Sequence, residues 1–304
     1  MIYTNVQGRT RHDRMGRINT IQAALMLGPA VLLLIICSIY PFFWMFRYIL
    51  YDYNGFTAHF TGIQNIIRMI HDTSFLESIG HTFEYAAYKI MCIIPAALLI
   101  AVLLHSGIAG TSIFRLVYFL PTVISSSISG MIFSFIFATS NGILNGIISR
   151  QIPWLTSPDH VMMAVTVLAV WGGFGNYMLY FITGMNGISA DVYEAAKIDG
   201  ANTTQTFFRI TLPMLSPVLK VVLMLAITSA FKDYEAIMVL SGGGPGNRSM
   251  VMFLYIYHLI FGSAYNVTQP QIGYGALLSC VSAIIVGCVT LLYLKISKKL
   301  DSVV

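Results

Sequence analysis

Long apolar runs separated by short polar connections dominate the chain. A helix rising about 1.5 Å per residue needs about 20 mainly apolar residues to cross a hydrocarbon core of about 30 Å. Six runs qualify, near Ile21 to Phe46, Phe83 to Leu104, Leu116 to Ala138, Val161 to Met185, Ser216 to Leu240 and Ile272 to Leu294. A further apolar stretch, Val251 to Gly262, has only 12 residues and is expected at the interface or packed against the bundle. The pattern predicts an all-α membrane protein.

Composition agrees. Apolar residues make up 57% of the chain and charged ones 10%, far from the soluble average of about 45–50% and about 25%. The net charge of +5 would elsewhere suggest nucleic acid, but the basic residues flank the apolar runs, so orientation in the bilayer explains them and no nucleic-acid partner is expected. With six crossings and the N-terminus inside, the cytoplasmic side holds eleven basic residues: Arg9, Arg11, Arg14, Arg17, Arg115, Lys197, Arg209, Lys220, Lys295, Lys298 and Lys299. The outside holds four, Arg47, Arg68, Arg150 and Arg248. This places both termini in the cytoplasm and divides the chain into a basic segment 1–20, a permease domain 21–295 and a tail 296–304. The first run exceeds the about 7–15 residues of a secretory signal and is expected to stay as a helix. None of the outer connections is long enough for a sizeable soluble domain.

One stretch interrupts the pattern. EAAKIDGANTTQTFFRITLP, Glu194 to Pro213 within segment 189–213, separates the fourth and fifth runs on the cytoplasmic side. It reads as two short helices. Asp191 is placed to cap the first, with Glu194 three residues on, and Gly200 to end it in the left-handed conformation. Asn202 with Gln205 offers a second start, and Pro213 and Pro217 suit the first turn of the next span. Val192, Ala195 and Ala196 share a face narrow enough for another protein to approach closely. By pattern alone it is either a plug for a partner's socket or an amphipathic helix lying on headgroups or on its own bundle.

The spacing EAA, three residues, Gly, nine residues, I-x-L-P resembles the cytoplasmic signature of ATP-binding cassette importer permeases, and it is complete at Glu194, Ala195, Ala196, Gly200, Ile210, Leu212 and Pro213. The likeness covers most of the chain beyond the first run. It is nearest the carbohydrate-uptake group, with its maltose-permease-like and glycerol-phosphate-permease-like subunits, through FLPTVIS at Phe119 to Ser125 and FKDYEAIMVLSGGGPGNRS from Phe231 to Ser249. The resemblance implies six transmembrane helices with a cytoplasmic coupling helix between spans 4 and 5, in the cytoplasmic membrane of a bacterium or archaeon. It implies import of a sugar or oligosaccharide by ATP-driven alternating access. The implied partners are a second homologous permease, two copies of a nucleotide-binding ATPase subunit carrying ATP and Mg, and an extracytoplasmic solute-binding protein; no cofactor is expected on this chain, which is not itself an enzyme. The two extra spans and large outer domain of the maltose subunit are missing, so its sugar contacts do not carry over. Two alternatives stay open: an importer of this kind for glycerol phosphate, a polyamine or an amino acid, and a self-sufficient ion-driven carrier using Lys89, Lys232 and Glu235.

Charges mark a candidate substrate path. Lys232, Asp233 and Glu235 lie in or near the outer half of the fifth run, where an unpaired charge at mid-depth costs about 2.5–3.5 kcal/mol on insertion scales. Lys232, Tyr234 or Glu235 would border a cavity and bond sugar hydroxyls, or the charges would form an internal ion pair; Lys89 raises the same question. Trp171, Phe174, Tyr177 and Tyr180 recur every three residues as a stripe that would stack on sugar rings or pack helices. Ser125, Ser126, Ser127, Ser129 and Gly130 would line a polar path or allow close packing. SGGGPGNRS lacks the ending and spacing of a phosphate loop, and the scattered histidines give no metal motif. Cys37, Cys92, Cys280 and Cys288 sit in apolar runs without paired spacing and read as packing residues.

Overall fold

The computed structural model describes residues 22–106, 110–262 and 269–301, so Arg9, Arg11, Arg14 and Arg17 lie outside the described residues. Two compact units divide the chain: one runs to Ile66 and includes Gln271–Leu277, the other comprises Ile67–Pro270 and the chain from Leu278 onward.

In the smaller unit, helix α1 (Gln22–Leu50) is long and apolar enough to cross a membrane, and none of its apolar window is buried. Pro41 lacks an N–H and its ring crowds the carbonyl four residues back, at Cys37; the helix accommodates it with a π turn over Ile35–Ile39. A hairpin follows, β1 (Tyr51–Tyr53) and β2 (Ala58–Phe60), antiparallel with Tyr51 opposite Phe60. Asn54 closes its turn, accepting from Phe56 N at 3.0 Å and Thr57 N at 2.8 Å. Asn65 ties the hairpin to the end of α1 by donating to the carbonyls of Ile49 and Tyr51. These two short strands are the only sheet among the described residues.

Helix α2 (Gln64–His71) leads to α3 (Thr73–His105), capped by Asp72, which accepts from Phe75 N at 3.0 Å. The third apolar run is not one straight helix. It forms α4 (Thr111–Val123) and α5 (Ser126–Ile136), bent by 99°. Ile124 is extended, Pro121 sits in the last turn of α4, and Ser125 restarts the chain by accepting from Ile128 N. After the short α6 (Ile143–Ile148) comes α7 (Pro158–Asn186), capped by Ser157 and packed along α3 as the central pair. Then follow α8 (Ala190–Ile198), α9 (Thr203–Met214) and α10 (Ser216–Lys232), the last two bent by 68°. The chain closes with α11 (Glu235–Leu240), α12 (Met252–Phe261) and α13 (Ile272–Asp301). Helices α1, α3, α7 and α13 could each span alone, and the two bent pairs raise the number to six if each counts as one span. The short α12 packs on the bundle: Met252 N donates to Thr82 Oγ1 at 2.8 Å and the Tyr255 hydroxyl to Asp72 at 2.8 Å.

Lipid offers helices little hydrophobic drive to associate, so close packing of small residues holds the larger unit. Ala97, Ala101 and Ala226 are fully buried where α3, α7 and α10 meet. A Cβ on Gly175 of α7 would lie 2.6 Å from the Tyr118 carbonyl of α4, and one on Gly130 of α5 would lie 2.9 Å from Val239 Cβ of α11. The packing role expected of the cysteines fits only Cys280, since Cys37, Cys92 and Cys288 are exposed.

Candidate functional site

The fifth run also breaks. Helix α10 stops at Lys232, Asp233 is extended with ψ 131°, and α11 begins at Glu235. Asp233 Oδ2 accepts from Lys89 Nζ at 2.5 Å and from the Tyr85 hydroxyl at 2.7 Å, and Lys89 also donates to Ser229 Oγ at 3.1 Å. Lys89 is only 4% exposed. Asp233 therefore supplies the internal ion pair, its partner being Lys89 of α3 and not its neighbour Lys232. Lys232 and Glu235 are exposed and have no ion-pair partner among the described residues.

Both breaks open onto one space. A cavity of about 360 Å³ is bounded by Thr122, Ile124 and Ser126 at the α4–α5 bend and by Asp233, Tyr234 and Glu235 at the α10–α11 break. Irregular backbone at membrane depth is tolerated only where protein or a polar cavity satisfies it, and both breaks meet that condition here. A second cavity of about 430 Å³ adjoins, lined by Tyr177, Tyr180, Leu225 and Thr228. The two share Lys89, Gly173, Asn176, Ser229 and Lys232. Along α7 and α10 the second lies nearer the end that carries α8 and α9. The buried Thr122 Oγ1 has no hydrogen-bond partner and packs against Gly175 of α7.

The path residues expected from sequence separate. Lys232, Tyr234 and Glu235 line the first cavity, and Lys232 and Tyr177 the second. Trp171 and Phe174 line neither: Trp171 packs on Phe133 with ring centres 5.2 Å apart, and Phe174 on Tyr118 at 6.0 Å. The reason is helical geometry. At about 100° per residue a spacing of three slips about 60° each step, so Trp171 and Tyr180 face opposite ways. Tyr85, Asn176 and Ser229 were not anticipated; a lone amide or hydroxyl inside an apolar run was their only signal.

The segment between α7 and α10 follows the expected local rules, with two corrections. Ser189, not Asp191, caps α8: its backbone is extended and its Oγ accepts from Asp191 N, while Asp191 already lies in the first turn. Gly200 ends the helix region with φ +79°, and Asn202 and Gln205 form a reciprocal capping box with bonds of 2.8 and 3.0 Å. A π turn, Phe207–Thr211, precedes Pro213 as another precedes Pro41. The shared face expected for Val192, Ala195 and Ala196 splits. Ala196 is buried and Val192 half-buried, whereas Glu194, Ala195 and Ile198, the last 86% exposed, point outward. Tyr193 holds the inward side, accepting from Thr211 Oγ1 at 3.4 Å with its ring 6.4 Å from that of His105. Ile210 and Leu212 are half-buried and Pro213 is exposed.

At the opposite end, Arg248 forks onto Glu84 at 2.6 and 2.7 Å, and this hydrogen bonding raises the guanidinium above its ordinary pKa. Ser249 is fully buried and bonds Ser241 Oγ at 2.8 Å and the Gly244 carbonyl at 2.7 Å, closing the glycine-rich loop on itself. Burial, reinforced by Asp72, raises the Tyr255 phenol. Among the described residues no group of three or more His, Cys, Asp or Glu could hold a metal ion.

Residues 93–302 match the family described as the binding-protein-dependent transport system inner membrane component. The arabinooligosaccharides transport system permease protein AraP of Bacillus subtilis (strain 168) is 32% identical over 280 residues, 90% of this chain and 87% of that one. The multiple sugar-binding transport system permease protein MsmF of Streptococcus mutans serotype c is 29% identical, covering 88% and 93% respectively. In fold the chain is similar to one from the crystal structure of a bacterial alginate ABC transporter in complex with an alginate pentasaccharide-bound periplasmic protein, with TM-score 0.80 and 19% identity over 95% of this chain and 97% of that one. The family match covers more than half of the chain and takes in both helix breaks and the cavity-lining residues other than Tyr85 and Lys89. The chain belongs to the inner membrane components of binding-protein-dependent transport systems.

Proposed function

We propose that the chain is the membrane-spanning permease subunit of an ATP-binding cassette importer that admits a sugar or oligosaccharide by alternating access. The observation that carries this is the pair of adjoining cavities built where two spans break, lined by hydroxyl, amide and charged groups. Discontinuous helices at mid-membrane are a recurrent way to build a transport site. The similarity to permeases for arabinooligosaccharides and multiple sugars supports a saccharide cargo. Asn176, Ser229 and Tyr234 offer donors and acceptors suited to hydroxyl groups. The ion-driven alternative loses its footing with the family membership, and Lys89 is already neutralised by Asp233.

In this reading the 21–295 domain crosses six times, with both termini and segment 189–213 in the cytoplasm. Helix α8 is the coupling helix: Glu194, Ala195 and Ile198 face a nucleotide-binding subunit, one of two copies that carry ATP and Mg. Ala196, Gly200, Ile210, Leu212 and Pro213 shape the corner that presents them. A second permease subunit and an extracytoplasmic solute-binding protein complete the assembly. Binding and hydrolysis of ATP shift the populations of two states of the permease pair, exposing the cavities to each side in turn.

The test is ATPase activity of the complex purified with its co-expressed subunits in lipid, titrated with the binding protein loaded from an oligosaccharide panel. One loaded form is expected to stimulate hydrolysis, and substitution of Glu194 or Gly200 by bulky residues to abolish that stimulation at normal membrane levels. Solute movement by this chain alone down an ion gradient, with no ATPase co-purifying, would refute the reading.

A further inference from the structure

We propose that the transported saccharide carries an anionic group, a carboxylate, sulfonate or phosphate, received in the second cavity by Lys232 with Lys89 beside it. This rests on the importer reading and narrows its cargo. The carrying observation is the charge balance of the cavity wall. Two ammonium groups, Lys89 and Lys232, line it, and among the described residues no carboxylate does. Asp233 neutralises Lys89 from the side of the first cavity. Glu235 lines only the first cavity and is not within ion-pair distance of Lys232. One positive charge, on Lys232, is therefore uncompensated at the second cavity.

The rest of the wall suits an anion on a sugar. Asn176 is exposed, and Tyr180 and Ser229 line the same space, whereas the Thr228 hydroxyl donates to the Met224 carbonyl of its own helix. Groups like the first three donate to anion oxygens and serve the neutral hydroxyls of a ring equally well. A charge without an ion-pair partner inside an apolar run is costly, so a lysine retained there marks a functional site. Lys232 closes the last turn of α10, where the helix dipole stabilises its positive charge. The two cavities meet at Lys232, so an anionic group held there would sit where the path changes from one compartment to the next.

The experiment is uptake by the complete transporter in proteoliposomes, comparing uronate oligomers with neutral oligomers of equal length and linkage. Binding protein is present at saturation. The tested chains are wild type, Lys232→Gln and Lys232→Arg. Wild type is expected to carry the uronate form at least about tenfold faster, the size of one charge-assisted bond. Lys232→Gln is expected to remove that preference, bringing the ratio of uronate to neutral uptake to about one whatever happens to the absolute rates, and Lys232→Arg to retain it. The preference is also expected to weaken as salt rises. Equal carriage of both forms by wild type, or preference for neutral oligomers, overturns the proposal and leaves the importer reading standing. A loss in Lys232→Gln that falls on both sugars alike also overturns it and assigns the lysine to subunit pairing. Carriage of neither form overturns both readings.

Discussion

Replacing Asp233 by Asn should cost far more stability than replacing Lys89 by Met, and replacing both should cost least. The Lys89 side chain is 5% exposed and that of Asp233 33% exposed. Removing the carboxylate's charge strands a nearly buried ammonium whose other hydrogen-bond partner is Ser229 Oγ at 3.1 Å. Breaking a buried pair in this way costs about 3–5 kcal/mol. Removing the ammonium instead leaves a carboxylate that keeps the Tyr85 hydroxyl at 2.7 Å and reaches solvent in the cavity. That loss should be about 1–2 kcal/mol, the scale of one net hydrogen bond to a charged group. In Lys89→Met with Asp233→Asn no charge is buried, and similar replacements elsewhere are nearly neutral.

The expected result is a double mutant more stable than the Asp233→Asn single, with a coupling energy of several kcal/mol. Denaturant unfolding of the purified complex in mixed micelles, followed alongside its level in the membrane, measures it. Losses that simply add in the double mutant, or an Asp233→Asn protein as stable as wild type, would refute the pair as the fastening of the α10–α11 break.

Three further outcomes are expected. Asn145→Ala should cost about 2–3 kcal/mol, because its amide donates to the carbonyls of Thr139 and Ile152 and accepts from Trp154 Nε1 at 2.8 Å; Trp154 fluorescence should shift, and an unchanged spectrum and melting point would contradict this. Gly175→Val should destabilise the α4–α7 contact by about 1–3 kcal/mol or prevent insertion, whereas Gly146→Ala, with nothing within 4 Å of the added atom, should be tolerated; equal stability of the two variants counts against the close approach. At Gly200 an added Cβ meets no neighbour within 4 Å, but in Gly200→Val the residue must hold φ +79°, a strain of about 1–2 kcal/mol; the protein should insert normally while sugar-stimulated ATPase falls, and undiminished stimulation would show that the corner does not transmit it.

What the sequence made legible follows the range over which its causes act. Apolar runs are summed over twenty residues and need no partner, so α1, α3, α7 and α13 were recognisable as spans from composition alone. Gly200 and the Asn202–Gln205 box are rules spanning a few residues, and they hold. Ser189 and Asp191 compete for one cap within three positions, and pattern could not tell which backbone would be extended. The Trp171 to Tyr180 series misled because a period of three is not the helical period. The Asn145 knot and the Lys89–Asp233 pair depend on chain segments meeting in space, the latter across 144 positions, and nothing local announces them.

The breaks themselves show why such local anomalies gather at the candidate site. Pro121 with Ser125 interrupts one span, and Lys232 to Tyr234 interrupts another, although each run is apolar enough to read as a single helix. Each interruption frees backbone groups that lipid cannot satisfy, so each must face protein or a polar space. Placed apart, the two would need two such spaces; placed together they bound one cavity. The close contact of Gly130 with Val239 then joins the far halves, α5 to α11, into one packed element, while Asp233 anchors the near side of the break to α3. A substrate path built this way can open by moving the α5–α11 pair against α3 and α7 without exposing unpaired backbone to lipid, since the irregular segments already lie along the cavity wall. Fixing α5 to α7 by an introduced cross-link across that wall should therefore stop transport while leaving both helices inserted; full transport in the cross-linked complex would show that the two elements do not move against each other.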